Sequence, residues 1–200
     1  MSDAIKHLKK HDPTQSEMME EMCLLVDKED NVIGTMSKLD CHFGEGHRHR
    51  AFSVIIVNNN GEMLVQQRSK EKITFPGVWA NACCSHPLDL DNENTDNGNG
   101  VVNAARRKLE HELGIPMSVT ENWDFNLLGR FEYQCRWDAD WIEKEIDHVL
   151  LVECDVNINI NENEIETVKW LDKDQLLSMM QKEGEWTNEY IAPWFLMIWK

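Results

Sequence analysis

The sequence predicts a compact α/β or α+β domain, and three observations carry that reading. Short apolar runs flank turn residues at two places, an apolar residue recurs at every fourth position of one stretch, and the chain has 200 residues, 42% hydrophobic and 28% charged. A chain of that length buries roughly 70% of its unfolded surface and needs no disulfide or metal to fold. Residues 1–20 are expected to be a polar, helix-tending lead-in and residues 21–200 a single domain.

In chain order, 23–26 and 32–36 flank Asp30-Asn31 and read as a hairpin-like pair of short strands. The β-branched run 51–57 ends at Asn58-Asn59-Asn60-Gly61 and leads into 63–67, a second hairpin signal. Residues 73–87 are irregular, with a turn at Pro76-Gly77 and an extended stretch over 79–86. Asn and Asp dominate 88–100, which predicts a solvated loop. The clearest helix is 101–113: Val101, Ala105, Leu109 and Leu113 share one face, Gly114 suits the C-cap and Pro116 stops continuation. Strands over 127–133, 146–154 and 168–171 and a helix over 174–182 complete the pattern. Many strands with few helices set the fold class.

Lys and Arg number 20 against 36 Asp and Glu, a formal net charge of −16. Nucleic acid and anionic membrane both call for a basic surface, so neither is expected as a partner. The apolar stretches 54–57 and 191–199 fall short of the roughly 20 residues that cross a bilayer, and Pro193 interrupts the second. The opening residues mix Lys6, Lys9 and Lys10 with Glu17, Glu20 and Glu21, so no secretory signal is expected. Six cysteines without a CxxC pair predict reduced thiols and a cytoplasmic location.

Four clusters have the composition of a chemical site. In Asn81-Ala-Cys-Cys-Ser-His-Pro87, extended backbone puts Cys84 and His86 on one face. Adjacent cysteines are ordinarily small core residues, and the histidine beside the thiol is what makes the segment suggestive. Alternation places Glu143, Glu145 and Asp147 on one face and Ile142, Ile146 and Leu150 on the other. A solvated edge would explain three carboxylates, but their face continues as Val149 and Leu151, and carboxylates aimed at a core call for a cation or a function.

His42 and His49 flank Gly44-Glu45-Gly46, a loop able to bring two imidazoles together, although scattered surface histidines are the commoner case. Lys108 and Glu112, at i and i+4, flank the buried stripe of the helix. An ordinary helix ion pair is worth only about 0.3–0.5 kcal/mol; the functional version has Glu112 on a divalent cation and Lys108 on a phosphate. Arg68, Lys70 and Lys72 add basic groups that in isolation read as a solvated turn.

Taken together these pieces resemble type I isopentenyl diphosphate isomerase, a member of the Nudix-fold superfamily. The resemblance runs from about Leu24 to Trp194, through His49-Arg-Ala-Phe-Ser53, Gln66-Gln-Arg-Ser69, Ile73-Thr-Phe-Pro-Gly77, Cys83-Cys-Ser-His-Pro87, 106–116 and Glu143-Lys-Glu-Ile-Asp147. It implies a Nudix-like α/β (α+β) domain, a mixed sheet between helices, and conversion of isopentenyl diphosphate into dimethylallyl diphosphate. By resemblance His42, His49, His86, Glu143 and Glu145 hold one divalent metal (Mn²⁺, Zn²⁺ or Mg²⁺), and Glu112 helps bind Mg²⁺ with the substrate diphosphate. Cys84 and Glu145 become the acid/base pair, Tyr133 and Trp194 line the pocket, and Lys38, Arg68, Lys72 and Lys108 contact the diphosphate. Nothing resembles a flavin site.

The residue types suit that reaction. An unactivated alkene must gain a proton at one carbon and lose one at another, near a tertiary carbocation. A thiol, with a reference pKa of about 8.5, stays protonated at neutral pH, and a metal-bound carboxylate stays ionised. A positioned proton donor or acceptor contributes about 10²–10⁴-fold, and a tryptophan face roughly 2 kcal/mol beside a desolvated cation. The alternative is a Nudix-type diphosphatase, whose helix pattern has carboxylates where this chain has Lys108 and His111. A metal-binding scaffold without turnover is the non-enzymatic reading.

Overall fold

Strand β3 (His49–Val57) organises the molecule, whose computed structural model describes residues 3–95, 98–181 and 191–199. It pairs in parallel with β8 (Ile142–Glu153) along its whole length, from His49↔Glu145 to Val57↔Glu153. Its other edge takes β6 (Cys83–Ser85), with single-residue contacts to β1 (Met22–Val26) and β4 (Met63–Arg68). Strand β2 (Val32–Ser37) pairs with β1, β7 (Asn126–Arg136) with β8, and β5 (Trp79–Asn81) and β9 (Ile165–Leu171) flank β4. The result is one mixed nine-stranded sheet.

Alternation along β3 divides the core. Phe52, Val54 and Ile56 meet Leu150 and Val152 under α4 (Asn99–Leu113), which presents Val101, Ala105, Leu109 and Leu113. Ile55 meets Val149 on the opposite face, covered by α6 (Lys173–Gln181) and α7 (Pro193–Trp199) through Leu176, Met180, Trp194 and Phe195. A central strand covered on both faces must be apolar on both, and β3 is buried at every position but its last. The sheet lies between helices, as the resemblance implies. Among the described residues no helix is long and apolar enough to cross a membrane.

The remaining helices are short: α1 (Asp3–Leu8), α2 (Pro13–Met18), α3 (Lys38–His42) and α5 (Met117–Thr120). Asp12 caps α2 by accepting from the Gln15 amide, with Pro13 in its first turn. Gly114 closes α4 at φ 64°, and a Cβ there would lie 2.4 Å from the Asn159 carbonyl, so only glycine fits.

Several expectations change. The hairpin over 51–57 and 63–67 holds only at Val57↔Met63. Beyond it β3 is taken up by β6 and β8, and β4 by β5 and β9, so each of these buried strands finds two neighbours instead of each other. Strand β7 extends beyond 127–133 at both ends, and β8 starts four residues before the expected 146–154 and ends at Glu153, because the carboxylates at its start find buried partners and need not hold the strand back. Helix α4 begins at Asn99, inside the stretch read as loop, and Glu93 in that stretch is buried. Its carboxylate takes Arg107 at 2.6 and 2.9 Å and the Leu88 amide at 2.9 Å, which compensates the desolvation a solvated loop would avoid. Asp96 and Asn97 of that loop, and Lys182 at the end of the expected last helix, lie outside the described residues.

Candidate active site

Strand pairing assembles the acidic half of the site. Parallel register sets His49 beside Glu145, α3 supplies His42, and the chain leaving β6 supplies His86. Ligand atoms of His42, His49, His86, Glu143 and Glu145 all lie within 4.8 Å of one another, and all five residues are buried. His42 and His49 each direct Nδ1 at a backbone carbonyl, Lys38 at 2.7 Å and His47 at 2.8 Å. In neutral rings those bonds place the proton on Nδ1 and turn the Nε2 lone pairs inward.

There His42 Nε2 stands 2.8 Å from Glu143 Oε2, and Glu145 Oε1 stands 2.8 Å from His86 Nε2 and 3.4 Å from His49 Nε2. Lone pairs at such separations repel unless a proton or a cation lies among them. Protons do not suffice for three adjacent rings. Burial opposes charge on His49 but Glu145 raises its pKa to about 9, whereas burial and the neighbouring His49 and His42 drive His86 well below the usual range. His49 Nε2 and Glu143 Oε2 are buried without any hydrogen-bond partner. Neighbouring ligands of one ion stand about 3.0–3.4 Å apart for bonds of about 2.1 Å, and these separations fall in that range or just below it. The donor set therefore fits one divalent cation.

Cys84, Tyr133 and Trp194 line the adjoining recess. Burial raises the Cys84 thiol to about 12, against the nearby Arg68 guanidinium, so it keeps its proton. Tyr133 sits opposite Glu145 in the β7–β8 ladder, and its hydroxyl donates to Glu145 Oε2 at 2.6 Å. Burial would raise Glu145, but the closeness and charge of the His49 ring bring it to about 2, so this carboxyl is ionised. Its two oxygens have separate surroundings: Oε1 faces the imidazoles and Oε2 the phenol. Trp194 packs edge-on to Phe75 with ring centres 5.3 Å apart, and Arg68 lies over its face at 5.6 Å.

The basic half comes from α3, β4, the turn after β4, and α4. Lys38 approaches Glu21 at 3.6 Å, Lys72 donates to Glu164 at 2.7 Å, and Lys108 donates to Glu112 and His111, both at 3.1 Å. Arg68 donates from Nε and Nη2 to the carbonyls of Phe75 and Thr74, leaving Nη1 beside Cys84 Sγ at 3.8 Å. Twelve of the thirteen residues expected at the site line one recess of about 650 Å³, including its open mouth. The thirteenth, His49, is fully buried behind it.

The NUDIX domain family pattern matches residues 47–195. Isopentenyl-diphosphate Delta-isomerase 1 of Bos taurus is 43% identical over 192 residues, covering 94% of this chain and 84% of that protein. Isopentenyl-diphosphate Delta-isomerase I of Camptotheca acuminata is 43% identical over 189 residues, covering 90% and 80%. The chain belongs to the isopentenyl-diphosphate delta-isomerase family, within the NUDIX fold. An isopentenyl-diphosphate delta-isomerase of Gibberella zeae is also 40% identical over 196 residues, 94% of this chain and 76% of that protein. In solved structures the fold is similar to a Deinococcus radiodurans protein, with TM-score 0.63, 19% identity, and 89% and 97% of the two chains covered. A NUDIX hydrolase from Alicyclobacillus acidocaldarius follows with TM-score 0.56, 12% identity, and 74% and 88% covered.

In this isomerase-family chain, Lys108 and His111 are hydrogen-bonded to each other, so neither offers a carboxylate where the hydrolase pattern has one. Glu112 is the buried carboxylate that α4 turns to the recess, steadied by Gln66 Nε2 at 3.4 Å. Beyond the thirteen, three polar residues to which the sequence assigns no role at the site lie at or behind it. Asp147 lines the recess and accepts from Ser53 at 2.8 Å; its place in the alternation of β8 was the available signal. Gln15 reaches the site from α2 and Glu164 backs it from the turn before β9, and for these two no motif gave a signal.

Proposed function

We propose that this chain interconverts isopentenyl and dimethylallyl diphosphate for isoprenoid biosynthesis, with Cys84 and Glu145 as the acid/base pair. The observation that carries this reading is a thiol held protonated and a carboxylate held ionised in one recess, beneath a rim of lysines. A proton is added to the terminal CH₂ of the alkene and another leaves the carbon on the far side of the branched centre. One of the pair gives and the other takes, and reversal of the roles runs the reaction backwards.

Tyr133 holds Glu145 Oε2 in place, and the Trp194 face beside the branched carbon stabilises developing positive charge by roughly 2 kcal/mol in a water-poor recess. A divalent ion (Mn²⁺, Zn²⁺ or Mg²⁺) held by His42, His49, His86, Glu143 and Glu145, and Mg²⁺ arriving with the diphosphate at Glu112, supply countercharge when bound. Lys38, Arg68, Lys72 and Lys108 orient the diphosphate, Arg68 through its remaining Nη1 group. The six free thiols support a cytoplasmic location. Residues 21–200 are read as the catalytic domain, and the lead-in contributes Gln15 to its edge.

The test follows isopentenyl diphosphate with Mg²⁺ and Mn²⁺ in deuterated water by proton NMR, for wild type and Cys84→Ala. Deuterium-labelled dimethylallyl diphosphate from wild type, lost by about 10²–10⁴-fold in the variant, is the expected result. Phosphate release without a shifted double bond would identify a diphosphatase instead.

A further inference from the structure

Lys72 and Lys108 line the recess, yet the carboxylate between them does not. Glu164, in the turn that opens β9, is 2% exposed and accepts from Lys72 Nζ at 2.7 Å, with Lys108 Nζ at 3.9 Å. Its other oxygen accepts from Gln15 Nε2 at 3.1 Å, and its carbonyl accepts the Ser69 amide at 3.0 Å. Ser69 in turn accepts the Lys72 amide at 3.3 Å. The residue thus grips Lys72 twice, at its ammonium and through the turn that carries it. Motif, spacing and family pattern did not single it out.

We propose that Glu164 is a positioning residue, which holds the Lys72 ammonium charged and aimed at the diphosphate side of the recess without touching substrate. The proposal rests on the reading that this rim takes a diphosphate. Lys72 is half-buried, and the groups facing it are Arg68 from β4, Lys38 from α3, Lys108 and His111 from α4, and Glu164. Three are cations, which with burial favour the neutral amine; Glu164 is the one that favours the ammonium. The Lys108 ammonium is shared with Glu112, so Glu164 also gives it an alternative partner when Glu112 turns to a cation.

Kinetics with isopentenyl diphosphate and calorimetric binding of inorganic pyrophosphate with Mg²⁺, from about pH 7 to 10, test this on the full chain. Glu164→Gln keeps shape and removes charge. It is expected to raise KM and the pyrophosphate Kd about tenfold at pH 8, to leave kcat within about threefold, and to start the alkaline rise in KM at least about one pH unit earlier than in wild type. Glu164→Asp restores the charge at shorter reach and is expected to keep the wild-type onset with KM raised about two- to threefold. An unchanged KM and onset in Glu164→Gln, or a loss confined to kcat, overturns the proposal. Should Glu164→Gln not fold, Glu164→Asp carries the test alone, and an unchanged KM there overturns it.

Lys72→Met separates the two levels of the argument. If that variant binds pyrophosphate as wild type does, the diphosphate reading of the rim fails. If it binds more weakly while Glu164→Gln does not, only the role of Glu164 fails. Combining both substitutions is expected to cost within about twofold of Lys72→Met alone, since Glu164 acts mainly through Lys72 and only secondarily through Lys108.

Discussion

Replacing Tyr133 by Phe removes one hydrogen bond and almost no volume. The ring is 6% exposed, packed between Phe131 at 5.6 Å and Trp194 at 6.3 Å, so the variant leaves no cavity. What is lost is the 2.6 Å donation to Glu145 Oε2, a bond to an ionised acceptor worth about 1.5–3 kcal/mol. The bond exists in the resting fold, so its loss registers in stability, as a Tm lower by about 3–12 °C at this chain length. The same energy bounds its share in turnover at about 150-fold. Because Oε1, and not Oε2, faces the imidazoles, divalent-metal affinity should stay within about threefold. Differential scanning fluorimetry, metal titration and the NMR assay read the three quantities. A turnover loss beyond about 10³-fold at unchanged Tm would refute the reasoning, since the phenol would then be moving a proton itself. Wild-type activity and Tm together would show that the bond orients nothing.

Other outcomes follow from the same structure. In EDTA, where the metal's effect on the thiol is absent, iodoacetamide at pH 8 should modify Cys84 about 10³-fold more slowly than a free thiol of pKa about 8.5, because a pKa of about 12 leaves about one thiolate in 10⁴. Quantitative mass spectrometry of the Cys84 peptide checks this, and a rate near the free thiol's refutes it. Adding a tightly held divalent cation at about 100 times its Kd should stabilise the fold by about 2.7 kcal/mol, roughly 5–10 °C in Tm. That gain should vanish in a Glu143→Gln, Glu145→Gln double variant. Asp30, at the positive φ of 71° that Asn also tolerates, pairs with buried Arg50 at 2.8 Å and with His148 at 2.8 Å. Burial would raise its pKa, but His148 and Arg50 lower it, so its stabilisation is present above the unfolded value near 3.8 and fades as pH falls through the lower folded value. Asp30→Asn should therefore cost about 3 kcal/mol at pH 7, read as a lower Tm, and the difference from wild type should close in strong acid.

What the sequence made legible was whatever a periodicity or a local cap encodes. The four-residue stripe of α4 with Gly114 behind it, and the two-residue alternation that turned Glu143, Glu145 and Asp147 to the face of Val149, are both found where expected. Pairings made by long-range register were not legible. Tyr133 and Glu145 are directly opposite only because β7 and β8 share a ladder, and the β3–β8 partnership that sets His49 beside Glu145 joins segments about a hundred residues apart. Glu93 and Glu164 sit in Asn-rich stretches, where a buried carboxylate looks the same as a solvated one until its cation, Arg107 or Lys72, is placed beside it. The short helix α3 escaped for a related reason: five residues hold too little periodicity, although Ser37 caps it through the Asp40 amide.

Local charge balance explains how a chain of net charge −16 accepts an anionic substrate. Burial tolerates ions only where they are compensated nearby, because the penalty for an unpaired charge is several kcal/mol while distant charges are screened within about 10 Å of salt water. In the acidic half, once a divalent cation takes the place of the His49 ring proton, two carboxylates among three neutral imidazoles carry two negative charges, which that cation cancels. Burial and the neighbouring Glu145 push the Asp147 carboxyl well above the usual carboxylate range, which disfavours a third negative charge there. In the basic half, Lys38, Arg68, Lys72 and Lys108 face Glu21, Glu112 and Glu164, which leaves one positive charge. A magnesium complex of an organic diphosphate carries about one negative charge. Each half therefore reaches neutrality only with its own guest, and the apolar face of Trp194, backed by Phe75, lies where a neutral alkene between them needs no countercharge at all.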